Sequence, residues 1–109
     1  MIGRAIKKIN PDAEFTINAN DINQITWYND TTPISKSDIE AQYPAVQFDI
    51  AMEELRFTRN RLLRQTDFYA LGDVTMSDDM KTYRQSLRDI TNGLTTADEV
   101  NAVSWPTKP

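Results

Sequence analysis

Carboxylates are the side chains of this sequence that could do chemistry, because it contains neither histidine nor cysteine. The densest group is Asp73, Asp78 and Asp79, which lacks the alternate spacing, the central glycine and the closing glutamate of a calcium loop. Glu53 and Glu54 are adjacent, and adjacent residues of a helix point about 100° apart. The sequence therefore predicts no metal site, no cofactor site and no catalytic acid-base pair.

The missing residue types exclude most enzyme mechanisms. Without histidine and cysteine there is no Ser-His-Asp or Cys-His arrangement, no thiolate nucleophile, no disulfide and no zinc site of the cysteine type. The three glycines are scattered, so no glycine loop can hold a phosphate. We therefore predict a protein that is not an enzyme.

Charge and length narrow the class of protein further. Twelve basic and sixteen acidic residues give the 109 residues a formal net charge of −4, whereas a nucleic-acid-binding protein needs a basic face. The apolar runs reach only three or four residues, far below the roughly 18 to 20 that cross a bilayer. The expectation is a small cytoplasmic globular protein with neither a nucleic-acid nor a membrane partner.

Residues 1–43 are predicted to form a small α+β module of a short helix, a β-hairpin and a second short helix. Alternating apolar and polar residues over 13–29 are typical of two half-buried strands, and residues 18–21 supply the asparagines and aspartate of a turn. Either Ser35 or Ser37 caps the second helix. The first helix is predicted from the spacing of Ile2, Ala5, Ile6 and Ile9.

Residues 44–109 are predicted to form a long antiparallel α-hairpin. Its first helix runs from Pro44 to about Thr66, because no glycine or proline interrupts that stretch. A second apolar face carries Val46, Ile50 and Phe57, so the N-terminal half of this helix must contact two neighbours or a partner. The main apolar seam consists of Phe48, Met52, Leu55 and Leu62.

The second helix of the hairpin begins after an apolar connection, residues 67–76. We expect Phe68, Leu71 and Val74 of this connection to fold back on the helices. Ser77 caps the second helix, which is predicted to end at Asn92-Gly93 and to bury a stripe of Met80, Tyr83, Leu87 and Ile90. One more helical turn follows at 95–100, and the prolines make the C-terminal tail extended. The predicted fold class is α+β.

Aromatic and basic residues of the second half are the candidates for contact with a partner. Trp105 lies in a proline-bounded segment and is either a core residue or an anchor for a partner; Trp27 has the same two interpretations. Arginines in the last three turns of the long helix complement the helix dipole, and an acidic protein or a nucleic acid are alternative explanations for them. The predicted partner-binding residues are Trp105, Pro106, Phe68, Tyr69, Arg61 and Arg64.

Four blocks of sequence carry a resemblance to a known family. They are Arg59-Asn60-Arg61-Leu62-Leu63, Thr66-Asp67 followed by an aromatic residue, Tyr83-Arg84-Gln85-Ser86-Leu87-Arg88-Asp89-Ile90, and Trp105-Pro106-Thr107-Lys108-Pro109. In order and spacing they resemble the phage tail assembly chaperone-like family over residues 53–109. The first half looks like the small β module that often precedes this segment in phage proteins. Phe68 and Gly72 depart from the pattern, since the family usually has tryptophan and proline there.

The resemblance implies a phage-encoded protein that helps tail or tail-fibre components assemble. Together with the composition, it predicts a non-enzymatic, chaperone-like protein that binds tail, tail-fibre or baseplate proteins in the host cytoplasm during assembly. The alternative is a structural virion component that stays in the tail, fibre or baseplate as an adaptor. The sequence leaves open whether the chain forms a homo-oligomer, and its charge disfavours a DNA-binding regulator.

Overall fold

The computed structural model describes residues 1–109 and contains five α-helices, one short 3-10 helix and a two-stranded antiparallel sheet. The chain divides into two compact units, Met1–Gln47 and Phe48–Pro109. Helices combined with an antiparallel hairpin make this an α+β fold, which confirms the predicted class.

The first unit contains short elements. They are α1 (Ile2–Ile9), β1 (Glu14–Ile17), β2 (Ile25–Tyr28), α2 (Lys36–Ala41) and the first turn of α3 (Tyr43–Thr66). Helices α1 and α2 are in contact, and the unit buries one apolar face of each. Its buried residues are Ile2, Ala5, Ile6, Ala13, Ile39 and Val46.

The two strands pair as the alternating pattern predicts. Phe15 lies opposite Trp27 on the half-buried face, and their ring centroids are 5.9 Å apart. Trp27 is thus one of the aromatic residues that pack across the hairpin. The connecting turn places Ala19 (φ 54°) and Asn20 (φ 53°) in the left-handed region. Asparagine tolerates this conformation, as the turn prediction implies, whereas an alanine there carries a steric cost.

Helix α2 begins at Ser35, one of the two caps that the sequence allowed. The Ser35 hydroxyl accepts a hydrogen bond of 3.2 Å from the Asp38 backbone N–H. Ser37 lies inside the first turn of the helix, so the alternative cap is not used. The donor, Asp38, is the third residue after Ser35, which is the ordinary N-cap geometry.

The second unit packs a returning segment against α3. Near the end of α3, Leu62 and Leu63 contact a cluster on α4 (Asp78–Arg88) that contains Leu87. Nearer the start of α3, the cluster of Ala51, Met52 and Leu55 contains Val100 of α5 (Ala97–Asn101). The contacts run in opposite order along the two segments, so the return is antiparallel, and the predicted seam of α3 faces it.

Helix α4 is shorter than the sequence predicted. Ser77 caps it as expected, its hydroxyl accepting a 3.1 Å hydrogen bond from the Met80 N–H. Regular helix ends at Arg88, however, and turns follow as far as Gly93, which has a φ of 78°. Glycine accommodates that positive φ without the Cβ clash that other residues suffer. Residues 103–109 have no regular secondary structure.

The prediction that Phe68 and Leu71 fold back on the helices is wrong. Their side chains are 50 % and 58 % exposed. Residues Asp67–Ala70 form a 3-10 helix, and in this tighter turn it is Tyr69 that packs against the α4 cluster, together with Met76. Val74 is half-buried.

Candidate functional site

Trp105 lies beside an open groove on the second unit. The groove has a volume of about 220 Å³, and the Trp105 side chain is 37 % exposed. Pro106, the next predicted residue, is half-buried. The groove is lined by Ala51, Glu54, Leu55, Thr58, Val100, Asn101, Val103 and Trp105. Apolar side chains therefore form part of the groove, and Glu54 adds a carboxylate to it.

Helix α5 positions one wall of this groove. The Thr96 hydroxyl caps α5 by accepting a hydrogen bond from the Glu99 N–H at 3.2 Å. The Thr95 hydroxyl and N–H and the Thr96 hydroxyl donate to Glu99 Oε1, and these hydrogen bonds hold the pKa of Glu99 below its usual value. These reciprocal hydrogen bonds between Glu99 and the two threonines fix the first turn of α5. The helix then places Val100 against α3.

The other predicted site residues lie at the end of α3. The rings of Phe68 and Tyr69 are in contact, with centroids 4.1 Å apart and planes tilted by 32°, and Tyr69 is half-buried. Arg61 and Arg64 are exposed, and neither makes a hydrogen bond or an ion pair.

The structure separates the predicted site into two places. Thr58, the last α3 residue of the groove, precedes the end of α3 at Thr66 by about 12 Å of helix. Trp105 lies at the groove, and Phe68 lies just after the end of α3. The predicted residues are therefore not one continuous patch centred on Trp105.

A buried network that the sequence analysis did not identify joins α3 to α4. Arg84 Nη1 donates to the Leu63 carbonyl at 2.9 Å and to the Thr66 hydroxyl at 2.7 Å, while Nη2 donates to Asp67 Oδ1 at 2.8 Å. Arg84 is 8 % exposed and Thr66 is fully buried. The Leu63 carbonyl is one of the last four of α3, whose ordinary helical N–H donors would lie beyond the helix, so the guanidinium caps the helix C-terminus.

Helical spacing contained a signal for Arg84. Met80, Arg84 and Leu87 stand at i, i+4 and i+7, so a helix that buries the first and last also turns the arginine inward. Thr66-Asp67 and the block containing Arg84 are two of the four blocks of the family resemblance, and the structure shows that they contact each other.

Comparison with known families adds the deciding observation. Residues 52–109, just over half of the chain, match the family described as phage tail assembly chaperone protein. The chain belongs to this family. Searches of curated proteins and of solved structures gave no match.

Within this tail assembly chaperone family match lie most of α3, all of α4 and α5, and the C-terminal segment. It therefore includes the Arg84 network and every residue that lines the groove except Ala51. Membership supports a role in bacteriophage tail assembly. None of the helices is both long enough and apolar enough to cross a membrane.

Proposed function

We propose that this family member is a non-enzymatic tail assembly factor that acts by binding other tail proteins. The observation that carries the proposal is the family match over residues 52–109. A composition without histidine or cysteine supports it, because the usual nucleophile and general-base arrangements cannot be formed. The partners would be tail, tail-fibre or baseplate proteins, bound in the host cytoplasm while the tail is assembled.

The proposed contact residues are the aromatic and basic side chains that the second unit leaves accessible. Trp105 is the main anchor, because its ring borders an open groove and combines a large apolar area with an N–H donor. Pro106 follows Trp105 directly in the chain, and a second contact area near the end of α3 consists of Phe68, Tyr69, Arg61 and Arg64. We assign binding to residues 44–109 as one domain and regard residues 1–43 as an accompanying α+β module.

Co-expression tests this proposal. The tagged full chain is produced with each tail and fibre protein encoded beside it, and the retained proteins are identified after affinity purification. At least one tail or fibre protein is expected to be retained. Retention of none of them would refute the proposal.

The proposed role of Trp105 as an anchor is tested in the same experiment by comparing two variants. Trp105→Ala is expected to weaken retention about tenfold, a loss of roughly 1.4 kcal/mol of binding free energy. Trp105→Phe keeps an aromatic ring and should retain more of the partner than the alanine variant. A large drop in melting temperature with unchanged retention would instead make Trp105 a core residue.

The alternative function, a structural adaptor that stays in the virion, makes a different prediction about the particle. A transient assembly factor is absent from purified phage particles, whereas an adaptor is present in a fixed copy number. Quantitative mass spectrometry of purified particles separates the two. We expect absence, and a stoichiometric copy number would favour the adaptor.

A further inference from the structure

Three residues of α3 form an exposed stripe that no part of the second unit covers. At about 100° per residue, Phe57, Arg61 and Arg64 lie within about 60° of one another around the helix axis. The opposite side of α3 carries the residues that pack against the returning segment, including Leu55 and Leu62. We call Phe57, Arg61 and Arg64 the α3 outer stripe.

Phe57, the apolar residue of the stripe, is unusually exposed. Phe57 is 69 % exposed, the highest value among the large apolar side chains that are exposed. Val46 and Ile50 precede it on the same side of the helix, and they are buried and half-buried. The apolar face that the sequence predicted to need a neighbour or a partner is therefore uncovered where Phe57 lies.

The two arginines of the stripe also lack a partner in the chain. Neither Arg61 nor Arg64 makes an ion pair or a hydrogen bond. Interaction with the helix dipole accounts for Arg64, which is in the last turn of α3, but this effect fades within one turn and does not reach Arg61. A single exposed phenylalanine needs no explanation, but a phenylalanine aligned with two unpaired guanidinium groups forms a mixed apolar and cationic surface.

We propose that the α3 outer stripe binds an acidic, amphipathic helical segment of a tail protein, an inference that rests on the proposed function and names the chemistry of its partner. Carboxylates three or four residues apart on the partner helix pair with Arg61 and Arg64, because a planar guanidinium group can donate two parallel hydrogen bonds to one carboxylate. An apolar side chain of the same segment covers the Phe57 ring. The charge of the stripe thus selects the partner, and Phe57 supplies the apolar contact.

The charge of the chain favours an acidic protein over a nucleic acid. Two arginines neutralise only about two phosphates, and the chain as a whole carries a net charge of −4. A long polyanion would be repelled by a chain in which acidic residues outnumber basic ones, sixteen to twelve. A short acidic segment needs only the local positive charge of the stripe.

A peptide titration tests the proposal directly. The probe is a fluorescein-labelled helical peptide of about 18 residues, blocked at both ends, with leucines on one side and glutamates at i and i+4 beside them. A second peptide has glutamine in place of each glutamate. With the full-length wild-type chain, we expect the glutamate peptide to bind about tenfold more tightly than the glutamine peptide. Its affinity should fall several-fold as salt rises from about 50 to about 300 mM.

Matched double variants locate the binding surface. Arg61→Gln with Arg64→Gln should weaken binding of the glutamate peptide about tenfold or more. The control, Arg56→Gln with Arg88→Gln, also removes two exposed arginines, one of them from the last turn of a helix, and should change the affinity less than about twofold. Phe57→Ser should weaken both peptides without lowering the melting temperature, because the Phe57 side chain is exposed.

Each contrary outcome overturns the inference. It is wrong if the wild-type chain does not distinguish the two peptides, or if the control pair loses as much affinity as the stripe pair. Binding of a 20-base-pair duplex that depends on Arg61 and Arg64 would assign the stripe to nucleic acid, and a dimer in sedimentation that Phe57→Ser abolishes would assign it to a second copy. Tail-protein retention that survives the stripe variants would refute the stripe alone and leave the proposed function standing.

Discussion

Nη1 of Arg84 donates a hydrogen bond of 2.7 Å to the hydroxyl of Thr66, a residue with no exposed surface. That hydroxyl in turn donates to the Leu63 carbonyl at 3.2 Å, which Arg84 also reaches. One guanidinium group thereby satisfies the end of α3 and fastens α4 to it. Both partners lie within residues 52–109, the region that matches the tail assembly family.

Replacing Arg84 by methionine should destabilise the protein by about 2 to 3 kcal/mol, because the Leu63 carbonyl and the Thr66 hydroxyl lose a buried charged donor. Urea unfolding followed by circular dichroism measures this change. Asp67→Asn is the control: the Asp67 side chain is 58 % exposed, so its ion pair should contribute less than about 1 kcal/mol. Equal losses for Arg84→Met and Asp67→Asn would show that the ion pair, and not the helix cap, is what stabilises the fold.

Two serines that sequence reasoning could not distinguish should differ when each is changed to alanine. Ser35→Ala removes the hydroxyl that accepts from the Asp38 N–H and should cost about 1 kcal/mol. Ser37→Ala removes a hydroxyl within the helix and should be close to neutral. Thermal unfolding of the two variants side by side gives the answer, and a larger loss for Ser37→Ala would place the cap two residues later, at Ser37.

Two leucines of the second unit should respond very differently to truncation. Leu87 has no exposed surface and packs in the α4 cluster, so Leu87→Ala should cost about 2 to 5 kcal/mol. Leu71 is mostly exposed, and Leu71→Ala should cost less than about 0.5 kcal/mol. Denaturant midpoints compare the two variants. A comparable loss at Leu71 would restore the view that the connection folds back on the helices.

The pKa of Glu99 should depend on Thr95. Hydrogen bonds from Thr95 and Thr96 lower the pKa of Glu99 in the folded state, so this interaction stabilises the fold above the pKa of the unfolded chain and is lost as pH falls through the folded-state pKa. In Thr95→Val the pKa of Glu99 should rise toward its ordinary value. Carbon-13 NMR titration of the Glu99 carboxyl measures this, and an unchanged pKa in the variant would rule out the Thr95 hydroxyl as its cause.

Apolar spacing and turn chemistry were sufficient to predict α1, α3, the hairpin and the start of α4. α1, α3 and the two strands follow from local periodicity, and Ser77 was identified as a cap because a serine directly precedes two aspartates. Local patterns are informative here because each short element buries one face, and the spacing of its apolar residues indicates which face that is.

The features that were missed depend on contacts between distant residues. Nothing near Phe68 in sequence indicates that a 3-10 helix would expose it and bury part of Tyr69 instead. The inward position of Arg84 becomes favourable only because α3 ends beside it with unpaired carbonyl groups. Which apolar residue of a short connection is buried depends on the helices that pack beside it. The periodicity of the sequence alone cannot distinguish between adjacent apolar residues there.

The residues of the candidate site were chosen by type, and the structure adds where each of them lies. Trp105 was left open between a core residue and an anchor for a partner; its ring borders a groove whose α3 residues no local pattern could have assigned to it. Arg61 and Arg64 were named as binding residues, but their alignment with the exposed Phe57 depends on which face of α3 is covered. The binding role of these residues stays a prediction.

The most direct measurement is affinity purification of the tagged full chain from cells in which the phage tail is being assembled, followed by quantitative mass spectrometry. The account predicts that at least one tail, tail-fibre or baseplate protein is enriched with the wild-type chain. That enrichment should fall when Trp105 is changed to alanine. Enrichment of no tail protein with the wild-type chain would contradict the central claim that this protein acts by binding other tail components.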